Sequence, residues 1–391
     1  MQRRARPAAP VLVAVCLLAL LSALVFPLSN RAAAQDKPAQ GQFGERIEVR
    51  EVLIDALVTD ARGNVIVGLD KNDFVVREGG KPVQLSGVTF YSNRRIVETS
   101  EAVAKKGLRV DQVPEDRYFI LFFDDQKSAA ADAPVLLSQQ LQAGRRAREW
   151  AARELLPNDW VAVVSYDYKL KVQQDFTHDR RRIESAIDDA IKGKDTDNTW
   201  PSRAKAQEPA GPSLLAGLPR GEGLRDTTAI IFDGVERLAE AAGRITGRKN
   251  LLLFTHGFGR INSFGQYTPD PQYYRPMMEA LNTANVAVYP IDLFPVGVRH
   301  PLADAMSQLA FDTGGRYFFD VVNYTTALTQ VARENNGYYL LSYRSEHPAG
   351  KSGFQRVEVK TTNPDFKVKT RRGYEYGDYT GPKVAAGPAG P

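Results

Sequence analysis

The sequence predicts an α/β protein with a doubly wound, mostly parallel sheet placed between two β segments. Three observations lead to this fold class. Residues 118–123, "YFILFF", form a short continuous apolar run, typical of a parallel strand covered on both faces. Further runs of this kind alternate with stretches of helical spacing. The flanking segments instead alternate apolar and polar residues with the period of two found in antiparallel strands.

The central segment reads as strands alternating with helices, except that residues 194–226 separate two successive helices. The predicted strands are "YFILFF", "DWVAVVSYD", "KNLLLFTHG", "VAVYPIDLF" and the short "RYFFDV". The predicted helices are "VLLSQQLQAGRRAREWAARELL", "DRRRIESAIDDAIKG", "AIIFDGVERLAEAAGR", "YYRPMMEALNTAN", "PLADAMSQLAFDTGG" and residues 324–335. Gly314 and Gly315 end the fifth of these helices. Residues 194–226, rich in Pro, Gly, Ala and charge, predict a long flexible surface loop.

The two flanking β segments are each too small to bury a core alone. We expect about four strands from the first and about three from the second to form one immunoglobulin-like β-sandwich. The α/β domain is then inserted between them. A structure that places the two segments on opposite sides of the α/β domain, without contact, would contradict this hypothesis.

The N-terminal segment has the order of a secretory signal peptide. A basic start, "MQRRAR", precedes the apolar run "VLVAVCLLALLSALVF", and small residues follow up to Ala34. This order predicts Sec-type export, cleavage between Ala34 and Gln35, and a periplasmic or extracellular location with no remaining membrane span. A retained membrane anchor is the alternative. The only cysteine, Cys16, lies in this segment, so the mature chain has neither disulfides nor thiol chemistry.

The predicted domain organisation follows from these segments. In chain order it comprises a signal peptide 1–34, a linker 35–44, an N-terminal β segment 45–98, a linker 99–116, the α/β domain 117–322, the last helix with the C-terminal β segment 323–376, and a disordered tail 377–391.

The charge of the chain argues against nucleic acid as a partner. Four of the 51 Lys and Arg residues lie in residues 1–34, which hold no acidic residue. The rest of the chain therefore carries 47 basic and 46 acidic residues. A net charge near +1 is not the basic footprint of a nucleic-acid-binding protein.

Several stretches together resemble the von Willebrand factor A (vWA) domain, and within it the branch of VWFA-related acidobacterial domains. They include "IDALVTDARGNVIVGLDKNDFVVREGGKPVQL", "FILFFDD", "LPNDWVAVVSYD", "NVAVYPIDLF", "LAFDTGGRYF", "YYLLSYR" and "VKTRRGYEY", in this order over residues 46–376. The resemblance implies a metal-ion-dependent adhesion site, in which D-x-S-x-S, a Thr and an Asp-Gly bind Mg²⁺. Hard divalent cations prefer such oxygen ligands, and a carboxylate of the partner protein completes the shell.

The first element of this motif is only partly present. Asp124 matches the first aspartate and Ser128 the second serine, whereas Gln126 stands in place of the first serine. Asp125 adds a carboxylate that the general motif lacks.

The other two elements depart further from the motif. "RDTTAIIFDG" offers Thr227 and Thr228, but alignment on the following Phe-Asp places Ala229 at the threonine position. His256 stands where an aspartate is expected, and a histidine is a poor ligand for Mg²⁺. The candidate metal ligands are therefore Asp124, Ser128 and Thr228, and we expect either no cofactor or weakly bound Mg²⁺ or Mn²⁺.

These features favour an exported bacterial protein that is not an enzyme and that binds an unidentified protein partner through a degenerate adhesion site. The expected binding face comprises Asp124, Asp125, Gln126, Ser128, Thr228 and His256. One alternative is a structural or assembly component of the cell envelope that uses the sandwich and its tyrosine-rich strands, with an inert vWA top face. A metal-assisted hydrolase is the second alternative, but the sequence shows no catalytic spacing for it.

Overall fold

The computed structural model describes residues 47–92, 116–125, 133–196, 211–298, 300–348 and 351–377. The predicted signal peptide and first linker, nearly all of the second linker and residues 378–391 of the tail lie outside these ranges. In the ranges that the structure does describe, none of the helices combines the length and the apolar composition needed to cross a bilayer.

The secondary structure elements are numbered in chain order. The strands are β1 (Ile47–Thr59), β2 (Phe74–Glu78), β3 (Lys81–Val83), β4 (Leu85–Ser92), β5 (Arg117–Asp124), β6 (Asp159–Tyr166), β7 (Leu170–Thr177), β8 (Lys249–Thr255), β9 (Arg260–Ile261), β10 (Tyr267–Thr268), β11 (Val286–Asp292), β12 (Gly337–Pro348), β13 (Gly353–Thr361), β14 (Lys367–Lys369) and β15 (Gly373–Tyr376). The helices are α1 (Ala133–Glu154), α2 (Arg180–Ile191), α3 (Glu222–Asp226), α4 (Ile231–Ala242), α5 (Pro271–Thr283), α6 (Ala303–Thr313) and α7 (Tyr324–Glu334).

A five-stranded sheet in the order β11-β8-β5-β6-β7 forms the centre of the α/β domain. Its strands are parallel except for β7, which runs antiparallel to β6. The odd-numbered residues of β5 from Phe119 to Phe123 pack with α1, α2 and α7, whereas the even-numbered ones from Tyr118 to Phe122 pack with α4, α5 and α6. Helices on both faces explain why every residue of β5 is buried. The predicted mixed α/β class with a mostly parallel sheet is confirmed.

Several strand assignments in this domain differ from the prediction, and the short strands β9 and β10 are among those not predicted. The edge strand β7 was not predicted because polar residues such as Lys171 and Gln173 interrupt its apolar pattern. The short strand predicted over "RYFFDV" is wrong, since that segment contributes only one isolated parallel bridge, between Phe318 and Ile291 of β11.

The predicted surface loop over residues 194–226 is also wrong for the part that the structure describes beyond residue 210. Leu214 and Leu224 are fully buried in the core formed with α4, α5 and α6. Gly217 lies so close to the backbone of Ala241 that a Cβ would clash with it. These leucines hold the segment against the domain because burial of each apolar side chain contributes roughly 1.5–3 kcal/mol.

The two β segments pair with each other in two four-stranded antiparallel sheets, ordered β14-β1-β12-β4 and β15-β13-β2-β3. In the first sheet β1 of the N-terminal segment pairs with β12 of the C-terminal segment. The paired residues run from Ile47 opposite Pro348 to Ala56 opposite Tyr339. The second joins β2 to β13. The two sheets share one hydrophobic cluster, which includes Val52, Ile54, Val58, Phe74, Val76, Phe90, Tyr339, Leu341, Val357 and Val359. The segments therefore do not lie apart on opposite sides, while their assignment to an immunoglobulin-like topology stays a prediction.

A buried ion pair connects the sandwich to the α/β domain. Asp55 of β1 is 2% exposed, and the guanidinium of Arg248, directly before β8, donates to its carboxylate. The same guanidinium donates to the carbonyl oxygen of Gly314 at 2.8 Å. Arg371, of the C-terminal β segment, adds a second connection: it donates to the carbonyl oxygen of Asn282 in α5 and, within the sandwich, to that of Leu53 at 2.6 Å. The two parts are thus joined by charged groups as well as by the chain.

Candidate functional site

Asp124 lies where strands β5 and β8 end, at the carboxyl edge of the parallel sheet. Its side chain is 2% exposed, and its Oδ2 accepts a 2.6 Å hydrogen bond from the Thr255 hydroxyl. The backbone N–H of Gly257 donates to that hydroxyl oxygen at 2.9 Å. Burial and the charge of Asp124 raise the pKa of Tyr166, so this phenol stays neutral. Asp124 therefore holds the loop after β8 in place.

Asp125 does not share the environment of Asp124. Its Oδ1 accepts a hydrogen bond from Gln140 Nε2 of α1 at 3.1 Å, and its backbone N–H donates to the carbonyl oxygen of Tyr166. Its Oδ2 would lie 2.8 Å from a Cβ at Gly193, just after α2. Because consecutive residues of an extended chain point to opposite sides, the two aspartates diverge. The predicted binding face therefore does not contain both carboxylates.

Thr228 is fully buried and links two elements. Its hydroxyl donates to the carbonyl oxygen of Leu224 at 2.7 Å and accepts from the N–H of Leu170 at 3.1 Å. These bonds fix the end of α3 against the start of β7. The hydroxyl thus has a structural task, which sequence spacing alone did not reveal. Gln126 and Ser128, the remaining predicted residues of the motif, lie outside the described residues.

His256 follows β8 and is half-buried. Burial lowers its pKa to about 4, attraction to Asp292 opposes this shift, and repulsion from His300 adds to it. Its Nδ1 is buried and has no hydrogen-bond partner within the described part of the chain. His256 is therefore neutral at physiological pH, and it adds no positive charge to this end of the sheet.

We expect His256 to make the folded protein sensitive to acid. A histidine titrates near 6.5 in the unfolded chain, so between about pH 6.5 and pH 4 the unfolded state binds more protons. The contribution of His256 to the free energy of unfolding is therefore fully present above about pH 6.5 and is lost as the pH falls toward 4. Urea unfolding should show the wild type losing about 2 kcal/mol more than His256→Gln between about pH 7 and pH 4. His178→Gln serves as the control, and parallel profiles for wild type and His256→Gln would refute this expectation.

A second polar group at the same edge was missed as a site. The side chain of Asp292, at the end of β11, accepts from His300 Nδ1 at 2.8 Å and from the Tyr317 hydroxyl at 2.5 Å. Burial alone would raise the pKa of Asp292, but the hydrogen bonds from His300 and Tyr317 lower it below its usual value. The position of Asp292 at a strand end was visible in the sequence, whereas its partners are brought in by loops.

His300 is held by acceptors at both ring nitrogens. Nδ1 faces the Asp292 carboxylate, and Nε2 lies 2.8 Å from the carbonyl oxygen of His256. A ring N–H at either nitrogen therefore has an acceptor within hydrogen-bond distance. The ring of Phe294 stacks on His300 at 4.5 Å. His300 and Asp292 thus form a buried, hydrogen-bonded pair.

This group borders a pocket of about 340 Å³, called here the Asp292 pocket. It is lined by Asp292, Phe294, Pro295, Val298, His300, Ala303, Asp304, Ser307, Tyr317, Phe319 and Asp320. The lining combines carboxylates, hydroxyls and aromatic rings, the mixture found in sites that orient a ligand by a few polar groups. Among the residues expected from the sequence, only His256 lies beside it, through its backbone carbonyl.

The described residues do not fit a resident Mg²⁺ ion. Mg²⁺ prefers about six oxygen ligands in octahedral geometry. Asp124 supplies one carboxylate, which Thr255 already contacts, and the Thr228 hydroxyl is engaged by backbone groups. Across the described ranges, no three His, Cys, Asp or Glu side chains lie together in an arrangement that could hold a metal.

No protein-family model matches the chain, and no curated protein matches it. Proximal thread matrix protein 1 from the mussel byssus is similar with a TM-score of 0.35 and 15% identity, over 56% of this chain and 48% of that chain. BatB from Bacteroides thetaiotaomicron has a TM-score of 0.31 and 14% identity, over 56% of this chain and 96% of that chain. The SpRpn10 VWA domain has a TM-score of 0.30 and 13% identity, over 55% of this chain and 94% of that chain. The chain thus matches about half of the mussel protein, and similarities this low carry no argument about binding.

Proposed function

We propose that this chain is an exported vWA-type protein-interaction module of the acidobacterial branch, with an immunoglobulin-like sandwich built from its flanks. Its binding surface lies at the carboxyl edge of the five-stranded sheet. The observation that carries the proposal is the apolar rim of the Asp292 pocket, where Val298 and Phe319 are 53% and 66% exposed. Exposed large apolar residues beside polar groups mark surfaces that bind other proteins.

The binding surface works without a functional divalent ion in this proposal. The support comes from the donor set, in which Asp124 and Thr228 are committed to contacts within the fold and a neutral His256 replaces the expected aspartate. Recognition then rests on apolar and charged side chains. A weakly bound Mg²⁺ or Mn²⁺ at Asp124, Ser128 and Thr228 is the alternative, and it predicts that partner binding requires metal.

We propose no enzymatic activity. One arrangement that resembles a catalytic group is His300, which is oriented by Asp292 as a general base would be, with Ser307 lining the same pocket. A general base must accept the proton of the nucleophile. Here the second nitrogen of His300 is directed at the carbonyl oxygen of His256, so that role is blocked. This geometry counts against a hydrolase.

A structural or assembly role through the sandwich is the second candidate function. It is favoured by the outward-facing apolar side chains on the sandwich strands: Val49 and Leu53 on β1, Val75 on β2 and Phe354 on β13, which are 57%, 49%, 40% and 44% exposed. These residues lie on the outer faces of the two sheets and offer other surfaces for association. The two candidates therefore differ in which surface meets a partner.

Site-specific photo-cross-linking in the producing cells separates these functions. A photoreactive phenylalanine analogue replaces Phe319 at the Asp292 pocket or, as the matched control, Phe354 on the sandwich. We expect one discrete protein adduct from position 319 and none from position 354. Adducts from position 354 alone would overturn the proposal in favour of the structural role.

A further inference from the structure

The charges at the Asp292 pocket are unbalanced. The buried carboxylate of Asp292 accepts hydrogen bonds from His300 and Tyr317, so it is already engaged within the fold. Asp304 is exposed in the first turn of α6, and among the described residues no hydrogen bond or ion pair engages its carboxylate. Within the same described residues, Asp320 accepts only a backbone N–H, that of Gly297 at 2.9 Å. The described side chains therefore leave two carboxylates facing the pocket without a cation.

The pocket also offers aromatic surface beside these carboxylates. The rings of Tyr317 and Phe319 lie 5.7 Å apart, and Phe319 is 66% exposed. A cation placed over an open aromatic face gains about 0.5–1 kcal/mol at an exposed site. The volume of about 340 Å³ is at the lower end of ligand pockets and suits one side chain rather than a large cofactor.

A guanidinium satisfies these conditions better than an ammonium. It is planar, stacks on aromatic rings and spreads its N–H donors as a fork between carboxylates. We propose that the Asp292 pocket binds an arginine side chain presented by the partner protein, with Asp304 and Asp320 as the charge partners and Phe319 as the stacking surface. This inference rests on the proposed function, because it names the chemistry of the partner at that surface.

Binding of small probes to the full chain tests the arginine assignment. The probe is N-acetyl-arginine amide, and its uncharged isostere N-acetyl-citrulline amide is the matched control, both titrated by ligand-observed NMR. We expect the arginine probe to bind at least about tenfold more tightly than citrulline. In the double variant Asp304→Asn with Asp320→Asn, the arginine probe should lose at least about tenfold in affinity.

Two control variants exclude general charge effects. Glu51→Gln with Asp365→Asn removes two exposed acidic charges on the sandwich and should leave probe binding unchanged. Arg299→Gln removes the arginine next to His300 in the chain, outside the described residues, and should bind the probe at least as tightly as the wild type. Loss of binding in either control would overturn the proposal.

The outcome separates this inference from the proposed function. Equal binding of arginine and citrulline, or unchanged binding in the Asp304 and Asp320 double variant, refutes the arginine pocket. If position 319 still cross-links a partner, the interaction function stands and only the assigned ligand chemistry falls. If the cross-link is absent too, both proposals fall.

Discussion

Replacing Asp55 by Asn should destabilise the protein by about 3–5 kcal/mol, because the charge of Arg248 is then buried without its counterion. Arg248 is 5% exposed, and its remaining acceptors are the carbonyl oxygen of Gly314 and the more distant Tyr289 hydroxyl at 3.4 Å. Neither carries a negative charge. The free energy of unfolding, measured with urea, should fall accordingly. The loss is a large share of the 5–15 kcal/mol typical of folded proteins.

A double-mutant cycle with Arg248→Met shows whether the ion pair is the cause. The double variant removes both charges, so it should lose less stability than the sum of the two single variants. The control is Glu149→Gln, which removes a partner of Arg146 in an exposed pair and should change stability by under about 1 kcal/mol. A loss in Asp55→Asn no larger than in Glu149→Gln would disprove the role of this pair.

Replacing Arg117 by Met should also lower the free energy of unfolding by roughly 3–5 kcal/mol, because the buried carboxylate of Asp159 then loses its counterion. The guanidinium holds Asp159 with two hydrogen bonds of 2.7 and 2.6 Å, and it also donates to the carbonyl oxygen of Ala332 at 2.7 Å. It thereby joins the starts of β5 and β6 to α7. Met fills much of the volume but leaves the Asp159 carboxylate, 1% exposed, without its cation.

The test again compares a buried pair with an exposed one. Arg148→Met removes a side chain that pairs with Glu184 and Asp188 at the surface, and we expect it to lose under about 1 kcal/mol. Arg117→Lys should rescue only part of the loss, because an ammonium does not form the two-pronged contact. Equal midpoints of urea unfolding for Arg117→Met and Arg148→Met would show that the buried pair of Arg117 and Asp159 stabilises the protein no more than an exposed pair does.

The central fold was predictable where the sequence carries a continuous apolar pattern. Strand β5 is apolar from Tyr118 to Phe123 and ends at Asp124, which is enough to identify a covered parallel strand and its carboxyl end. Strand β7 was not predictable in this way. Its Lys171 is 1% exposed because its ammonium pairs with Asp167 and Asp195, and sequence periodicity does not reveal such pairing.

The site was predictable only in its position. A carboxylate that follows a parallel strand is predicted to lie at the carboxyl edge of the sheet, and Asp124 lies there. The partners of each side chain depend on loops whose course the sequence does not determine. Thr228 is therefore committed to the backbone, Asp125 diverges toward α1, and His300 reaches back to Asp292 from the loop after β11.

Metal-independent protein binding at the carboxyl edge of the sheet is tested most directly by the affinity of the partner cross-linked at position 319. The full chain is titrated with that partner in Mg²⁺ and in EDTA. We predict equal affinity in both, no effect of Asp124→Asn, and a loss of at least about tenfold when Val298→Glu and Phe319→Glu are combined. Binding that needs Mg²⁺, is lost in Asp124→Asn and survives the changes at Val298 and Phe319 would contradict the proposal.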